Sequence, residues 1–272
     1  MAAAQLLWKE QGTPDPLPAI EFARLMASGE LSVGAFLHYE SQDSEYLRNY
    51  LGCWGCILIK LDPASEHYTQ DAQLVFDLQR STIGELKVVA DQNAHEAIAK
   101  ALAQDGKAAE EARQEEVPKH QKVDGDDDTE SPLLKALEGV QPSCFREYIQ
   151  YLRGMSLCRT SNCLELCVAV LPCLRLYVEI GFALKKSLTQ EQLDALPANF
   201  KTWICTYSNP ELQSEADRTE AMMDRLLDER VRSSKNVAIT STQLDDSALR
   251  LQILRGELSR IYAYLMQLEL EI

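Results

Sequence analysis

Apolar residues recur at helical spacing along almost the whole chain, and no segment alternates apolar and polar residues as a half-buried strand does. Ile20, Phe22, Ala23 and Met26 mark a first helix from Ala19 to Ser28. The turn Ser28-Gly29-Glu30-Leu31-Ser32 follows, with Ser32 placed to cap a second helix from Val33 to Leu61 that Pro63 stops. Amphipathic, proline-free stretches predict helices over Glu66 to Thr82 and Ala90 to Ala103. After an interruption the pattern resumes at Cys144 to Leu157, Cys163 to Leu184, Thr189 to Leu196, Phe200 to Tyr207, Glu211 to Arg232 and Asp245 to Leu270. The fold class that follows is all-α, a single helical bundle over residues 1–272.

The interruption is compositional. Between Asp105 and Ser131 stand ten acids against four bases, with almost no large apolar side chain, so burial there cannot offset the entropy of ordering. Residues 105–131 are expected to form an acidic flexible insertion within the domain. Asp124-Gly-Asp-Asp-Asp-Thr-Glu130 lacks the glycine and glutamate spacing of a calcium-binding EF-hand loop.

A formal net charge of -15 excludes the usual electrostatic route to nucleic acid, in which Lys and Arg displace counterions from phosphate. No basic face suits a membrane surface. No apolar run is expected to reach the roughly 20 residues that span a bilayer, and Met1 to Glu10 does not read as a secretion signal. A cytoplasmic protein is expected. The eight cysteines lie mostly in apolar helical sequence and fit reduced thiols better than a disulfide framework.

Chemistry-bearing motifs are few. Phosphate-cradling glycine loops, Gly-x-Ser-x-Gly and His-Glu-x-x-His are absent, and His38, His67, His95 and His120 make no i, i+3 or i, i+4 pair, so neither a metal nor a cofactor is expected. Cys53-Trp-Gly-Cys56 falls inside a long helix without the βαβ setting of a redox dithiol and reads as packing. Leu171-Pro172-Cys173 is more informative: a proline inside an apolar helix costs about 3 kcal/mol, and Tyr177 lies one turn beyond Cys173 on the same face. On these residues alone, a core cysteine packed beside a core tyrosine remains the leading reading.

Three separated motifs change that reading. Gln42-Asp43-Ser44-Glu45-Tyr46-Leu47, the run Leu171-Pro172-Cys173 with Tyr177 and Glu179-Ile180-Gly181, and Trp203-Ile204-Cys205-Thr206-Tyr207-Ser208 stand in the order in which the TenA/thiaminase II family carries them, and the chain resembles that family outside the 105–131 insertion. The resemblance implies a haem-oxygenase-like helical fold without haem. It implies a cytoplasmic hydrolase of thiamine salvage that converts aminomethylpyrimidine to hydroxymethylpyrimidine or acts on thiamine itself, with a small-molecule aminopyrimidine as partner and a homotetramer as assembly. By position, Cys173 matches the nucleophile, Asp43 the carboxylate that binds the pyrimidine, and Tyr46, Tyr148, Tyr177 and Tyr207 the tyrosines of the pocket.

Two departures stand out. Asp245 occupies the place of the family's catalytic Glu, one methylene shorter, and Ala248-Leu249 replace a Phe-Trp pair; Leu174 and Arg175 replace aromatic residues beside the nucleophile. They leave open a second reading, a non-catalytic relative that binds a pyrimidine or a protein. A haem or di-metal oxidative enzyme on the same scaffold is disfavoured by the scattered histidines.

Overall fold

The computed structural model describes residues 6–7, 21–89, 143–237 and 246–271. The helix expected over Ala90 to Ala103, the insertion at 105–131 and Asp245 lie outside these residues. Among the described residues every regular element is helical.

Local chemistry sets the boundaries near the site. Helix α1, Glu21–Ser28, ends at Gly29, whose φ of 74° is a left-handed value open to glycine without strain. The amides of Glu30 and Leu31 both reach back to the Leu25 carbonyl at 3.0 Å, turning the chain into α2, Val33–Lys60. Ser32 caps α2 by accepting from the Ala35 amide at 3.0 Å, and the chain leaves the helix at Leu61, two residues before Pro63. Helix α3, Tyr68–Val89, runs on past Thr82, the end expected from sequence, and the extra turns carry Glu85.

Helix α4 is Ser143–Leu157 and α5 is Cys163–Ser187. Asn162 and Glu165 form a reciprocal capping box at the start of α5, and Glu165 also accepts from Arg230 at 2.9 Å. Helix α6, Gln190–Ala195, is capped in the same manner by Thr189 and Gln192; α7 is Ala198–Tyr207 and α8 is Pro210–Val237. The final segment departs from the single helix expected over Asp245 to Leu270. Helix α9, Asp246–Ile253, passes into a π turn over Leu254–Leu258, where Gly256 adopts φ -80°, ψ -108°, and α10, Ser259–Glu271, continues from it. The non-helical backbone at Gly256 is the reason for the break.

Helix α5 is the axis of the bundle. It packs against α1, α2, α4, α7, α8 and α10, and Leu166, Cys167, Val168, Ala169 and Val170 are wholly buried. By length and composition α5 is apolar enough to cross a bilayer, contrary to the expectation that no run would be, yet most of its side chains are spent on these contacts. Each buried Leu or Val contributes about 1.5–3 kcal/mol.

Arg175 is the polar exception on α5. It is 9% exposed, and its guanidinium meets Glu220 at 2.6 Å and Asp217 at 2.8 Å on α8, with Glu179 one turn along its own helix at 3.5 Å. The side chain thus ties α5 to α8 and does not face the cavity described below. Removing it leaves the mostly buried Glu220 carboxylate without its cation. Arg175→Met is expected to lower stability by about 3 kcal/mol in a thermal or urea melt, and adding Glu220→Gln should recover much of the loss; an unchanged midpoint in the single variant would contradict this account.

Candidate active site

A cavity of about 290 Å³ lies where α2, α3, α5, α7 and α8 converge. Helix α2 contributes Asp43, Tyr46 and Tyr50, three to four residues apart and so on one face. Helix α5 contributes Cys173, Leu174 and Tyr177, just after Pro172. From α3 come Ser81, Thr82 and Glu85, from the end of α7 comes Tyr207, and Glu215 of α8 closes the side next to α3.

Two pairs of rings form walls. Tyr46 and Tyr50 stack with centroids 5.5 Å apart and planes at 25°, whereas Tyr177 and Tyr207 are 5.2 Å apart and tilted, with Trp203 behind them at 4.5 Å from Tyr207. Such rings offer a flat heterocycle faces to stack on. Helices α5 and α7 approach unusually closely here: a Cβ on Gly181 would lie 2.4 Å from the Tyr207 carbonyl carbon. Glycine at 181 therefore allows the second wall to form.

The ionisable side chains of the described lining include four carboxyls and no Lys, Arg or His. Tyr207 donates its hydroxyl to Glu85 Oε1 in a short hydrogen bond. Burial pushes the Glu85 carboxyl above the ordinary carboxylate range, and the bond from Tyr207 only partly opposes this. Burial likewise raises the Tyr207 hydroxyl well above its usual value, reinforced by the charges of Glu85 and Asp43. Tyr39, buried behind Tyr177 and Asp43, is raised in the same way, by burial first. Glu85 thus holds its proton more tightly than an ordinary carboxyl does, which suits it to carrying a proton in the cavity.

Five residues expected from sequence, Asp43, Tyr46, Cys173, Tyr177 and Tyr207, meet at this one cavity although they lie on three helices. Tyr148 does not line it. It is wholly buried on α4 and accepts a hydrogen bond from the Tyr46 hydroxyl at 3.4 Å, so it positions Tyr46 from behind. Leu174 faces the cavity while Arg175, its neighbour, turns to α8. The Cys53 and Cys56 pair lies elsewhere on α2; burial pushes the Cys53 thiol up to about 11 despite a 3.0 Å hydrogen bond from Ser156, the reverse of an activated redox thiol.

Glu85, Ser81, Glu215 and Tyr50 are among the cavity residues that sequence reasoning missed. Leu78, Thr82 and Glu85 follow i, i+4, i+7 spacing, which places them on one face once α3 is known to continue.

Tyrosine walls, a thiol and carboxyls thus line one cavity inside an all-helical bundle of the haem-oxygenase-like type. Residues 134–253 match the model of the TENA/THI-4/PQQC family. The chain is structurally similar to a TenA homologue from Pyrococcus furiosus, with a TM-score of 0.55 and 13% identity over 98% of each chain. It is also similar to a TenA family transcription regulator from Silicibacter sp. TM1040, with a TM-score of 0.52 and 17% identity over 99% of this chain and 97% of that one. No curated protein matches at a significant level. The family match covers residues 134–253, and the likeness to these two solved structures shows that the chain shares their helical fold.

Proposed function

We propose that this chain hydrolyses a small aminopyrimidine, replacing the nitrogen of an aminomethyl group by the oxygen of water, with Cys173 as nucleophile. The observation that carries this reading is the convergence of Cys173, Asp43 and the tyrosines at one cavity. Its volume of about 290 Å³ lies at the lower end of the roughly 300–1,000 Å³ typical of ligand pockets, which favours a single ring over the two rings of intact thiamine.

The steps follow from the residue types. The thiolate of Cys173 adds to a carbon of the electron-poor ring as a ring nitrogen, held by Asp43, takes up a proton. The electron pair then returns through the ring, and the amine leaves the methylene as ammonia after receiving a proton. Water adds to the methylene and loses its proton, and the carbon–sulfur bond breaks with its electron pair on sulfur as the ring nitrogen gives back its proton, which regenerates the Cys173 thiolate and a neutral ring. Glu85 is the proton carrier: it serves the departing amine and then the entering water, oriented by Tyr207.

Purified protein incubated with 4-amino-5-aminomethyl-2-methylpyrimidine should release ammonia and the hydroxymethyl product in equal amounts. Glu85→Gln should lower kcat by about 10²–10⁴-fold. Because the Glu85 carboxyl is raised, its proton is present below its elevated pKa and lost above it, so the part of the alkaline decline in kcat that Glu85 causes should disappear in Glu85→Gln. If Glu85→Gln turns over at the native rate, the proton is carried by another acid, with Asp245 next in line from the family resemblance.

A second reading, a binder without turnover, is favoured by Asp245 and Ala248-Leu249 in place of the family's Glu and Phe-Trp. Thermal stabilisation by the pyrimidine without ammonia release supports it; a ligand at 100 times its Kd adds about 2.7 kcal/mol.

A further inference from the structure

The side of the cavity between α3 and α8 holds a carboxylate that the proposed reaction does not use. Glu215 is only 8% exposed, lines the cavity, and accepts one hydrogen bond, from Ser81 at 3.0 Å, through Oε1. Its other oxygen, Oε2, is buried and has no hydrogen-bond partner among the described residues. A buried carboxylate oxygen left unpaired costs free energy that a protein rarely leaves uncompensated.

The surroundings decide what would satisfy it. Asp43, Glu85, Glu211 and Glu215 line the cavity, and no Lys, Arg or His stands among its described lining residues. Arg218, a cation whose charge reaches Glu215 without a hydrogen bond to it, is bound to Asp77 at 3.3 Å. An anionic ligand meets only repulsion in such a lining, whereas a protonated amine meets complementary charge and a free acceptor.

We propose that Glu215, braced by Ser81, is an ammonium subsite that selects ligands carrying a protonated primary amine over otherwise identical alcohols. The inference rests on the reading of this cavity as the ligand site and deepens it by naming what discriminates substrate from product: the amine pairs with Glu215, and the alcohol formed by hydrolysis loses that charge-assisted bond and leaves. It does not depend on Cys173 being catalytic.

The test is a binding comparison by calorimetry on the full chain carrying Cys173→Ala, so that no ligand turns over. Two isosteric pairs are used: the aminomethyl- and hydroxymethylpyrimidines, and benzylamine against benzyl alcohol. The amine of each binding pair should bind about tenfold or more tightly. Adding Glu215→Gln should abolish that preference and leave the affinity for the alcohol unchanged, with a thermal melt confirming the fold. A preference that survives Glu215→Gln, an equal weakening of amine and alcohol, or no amine preference in either pair overturns the proposal. A Glu215-dependent preference in a protein whose native form releases no ammonia upholds the subsite and sinks the hydrolase reading, so the two failures are distinct. A preference confined to the benzyl pair upholds the subsite and sinks the pyrimidine.

Discussion

Cys173→Ala is expected to abolish ammonia release from the aminomethylpyrimidine, with a loss of at least about 10³-fold in kcat, while the affinity for the pyrimidine stays within about threefold of the native chain. The two measurements must separate in this way because the thiol is asked to do covalent work in the reaction and little in binding. In the proposed reaction the ring is to be held by Tyr46, Tyr50, Tyr177 and Tyr207 and by the carboxyl of Asp43, which line the cavity and which the substitution leaves in place. Cys173 is partly exposed at the cavity wall and not locked in the core, so the alanine leaves no deep void and the melting temperature should move little. Cysteines that serve packing behave otherwise: Cys167, one and a half turns earlier on α5, is wholly buried, and its truncation should affect stability first. Turnover retained in Cys173→Ala would remove the nucleophile and with it the covalent mechanism.

The contrast between Cys173 and Cys167 also shows what the sequence could and could not convey. Both lie in the same apolar run, and periodicity alone ranked neither as special; the resemblance of three motifs to those of the TenA/thiaminase II family distinguished Cys173. Helix boundaries were legible where a side chain enforces them. Ser32 caps α2 at its expected start, the end expected at Leu61 before Pro63 falls one residue past the observed Lys60, and the start expected at Thr189 falls one residue before α6.

Boundaries without such punctuation were not legible. Helix α3 has no proline or cap near Thr82, and ending it there hid Glu85, whose face becomes evident only when the helix runs to Val89. The π turn at Leu254–Leu258 was hidden for the opposite reason: apolar spacing persists across it, and the break lies in the backbone of Gly256. Depth was the third loss. A tyrosine pattern does not say which ring reaches the cavity, and Tyr148, matched to the pocket by position, stands one layer behind Tyr46. The partnerless oxygen of Glu215 belongs to the same class, because it exists only once α3 and α8 are packed.

Gly181→Ala is expected to cost about 2 kcal/mol of stability and about 10²-fold in kcat/KM, although it adds a single methyl group. The new Cβ would lie 2.4 Å from the carbonyl carbon, 2.6 Å from the carbonyl oxygen and 2.7 Å from the Cβ of Tyr207. These are backbone and near-backbone atoms, with no flexible side chain to swing aside, so α5 and α7 must separate. Overpacking of this kind costs about 1–3 kcal/mol or more, and the better helix propensity of alanine, about 1 kcal/mol, offsets only part of it. The residue displaced is the one that holds Glu85 and forms the second ring wall with Tyr177, so a shift near 1 Å detunes the proton carrier and the stacking face together, which is the basis for the loss in activity. Gly154→Ala is the matched control: its added Cβ meets nothing within 4 Å on α4, so the propensity gain is unopposed and the melting temperature should rise slightly. If Gly181→Ala melts and turns over like the native chain while Gly154→Ala is stabilised, the close contact of α5 with Tyr207 is not what shapes the site, and the link drawn from Gly181 through Tyr207 to Glu85 fails.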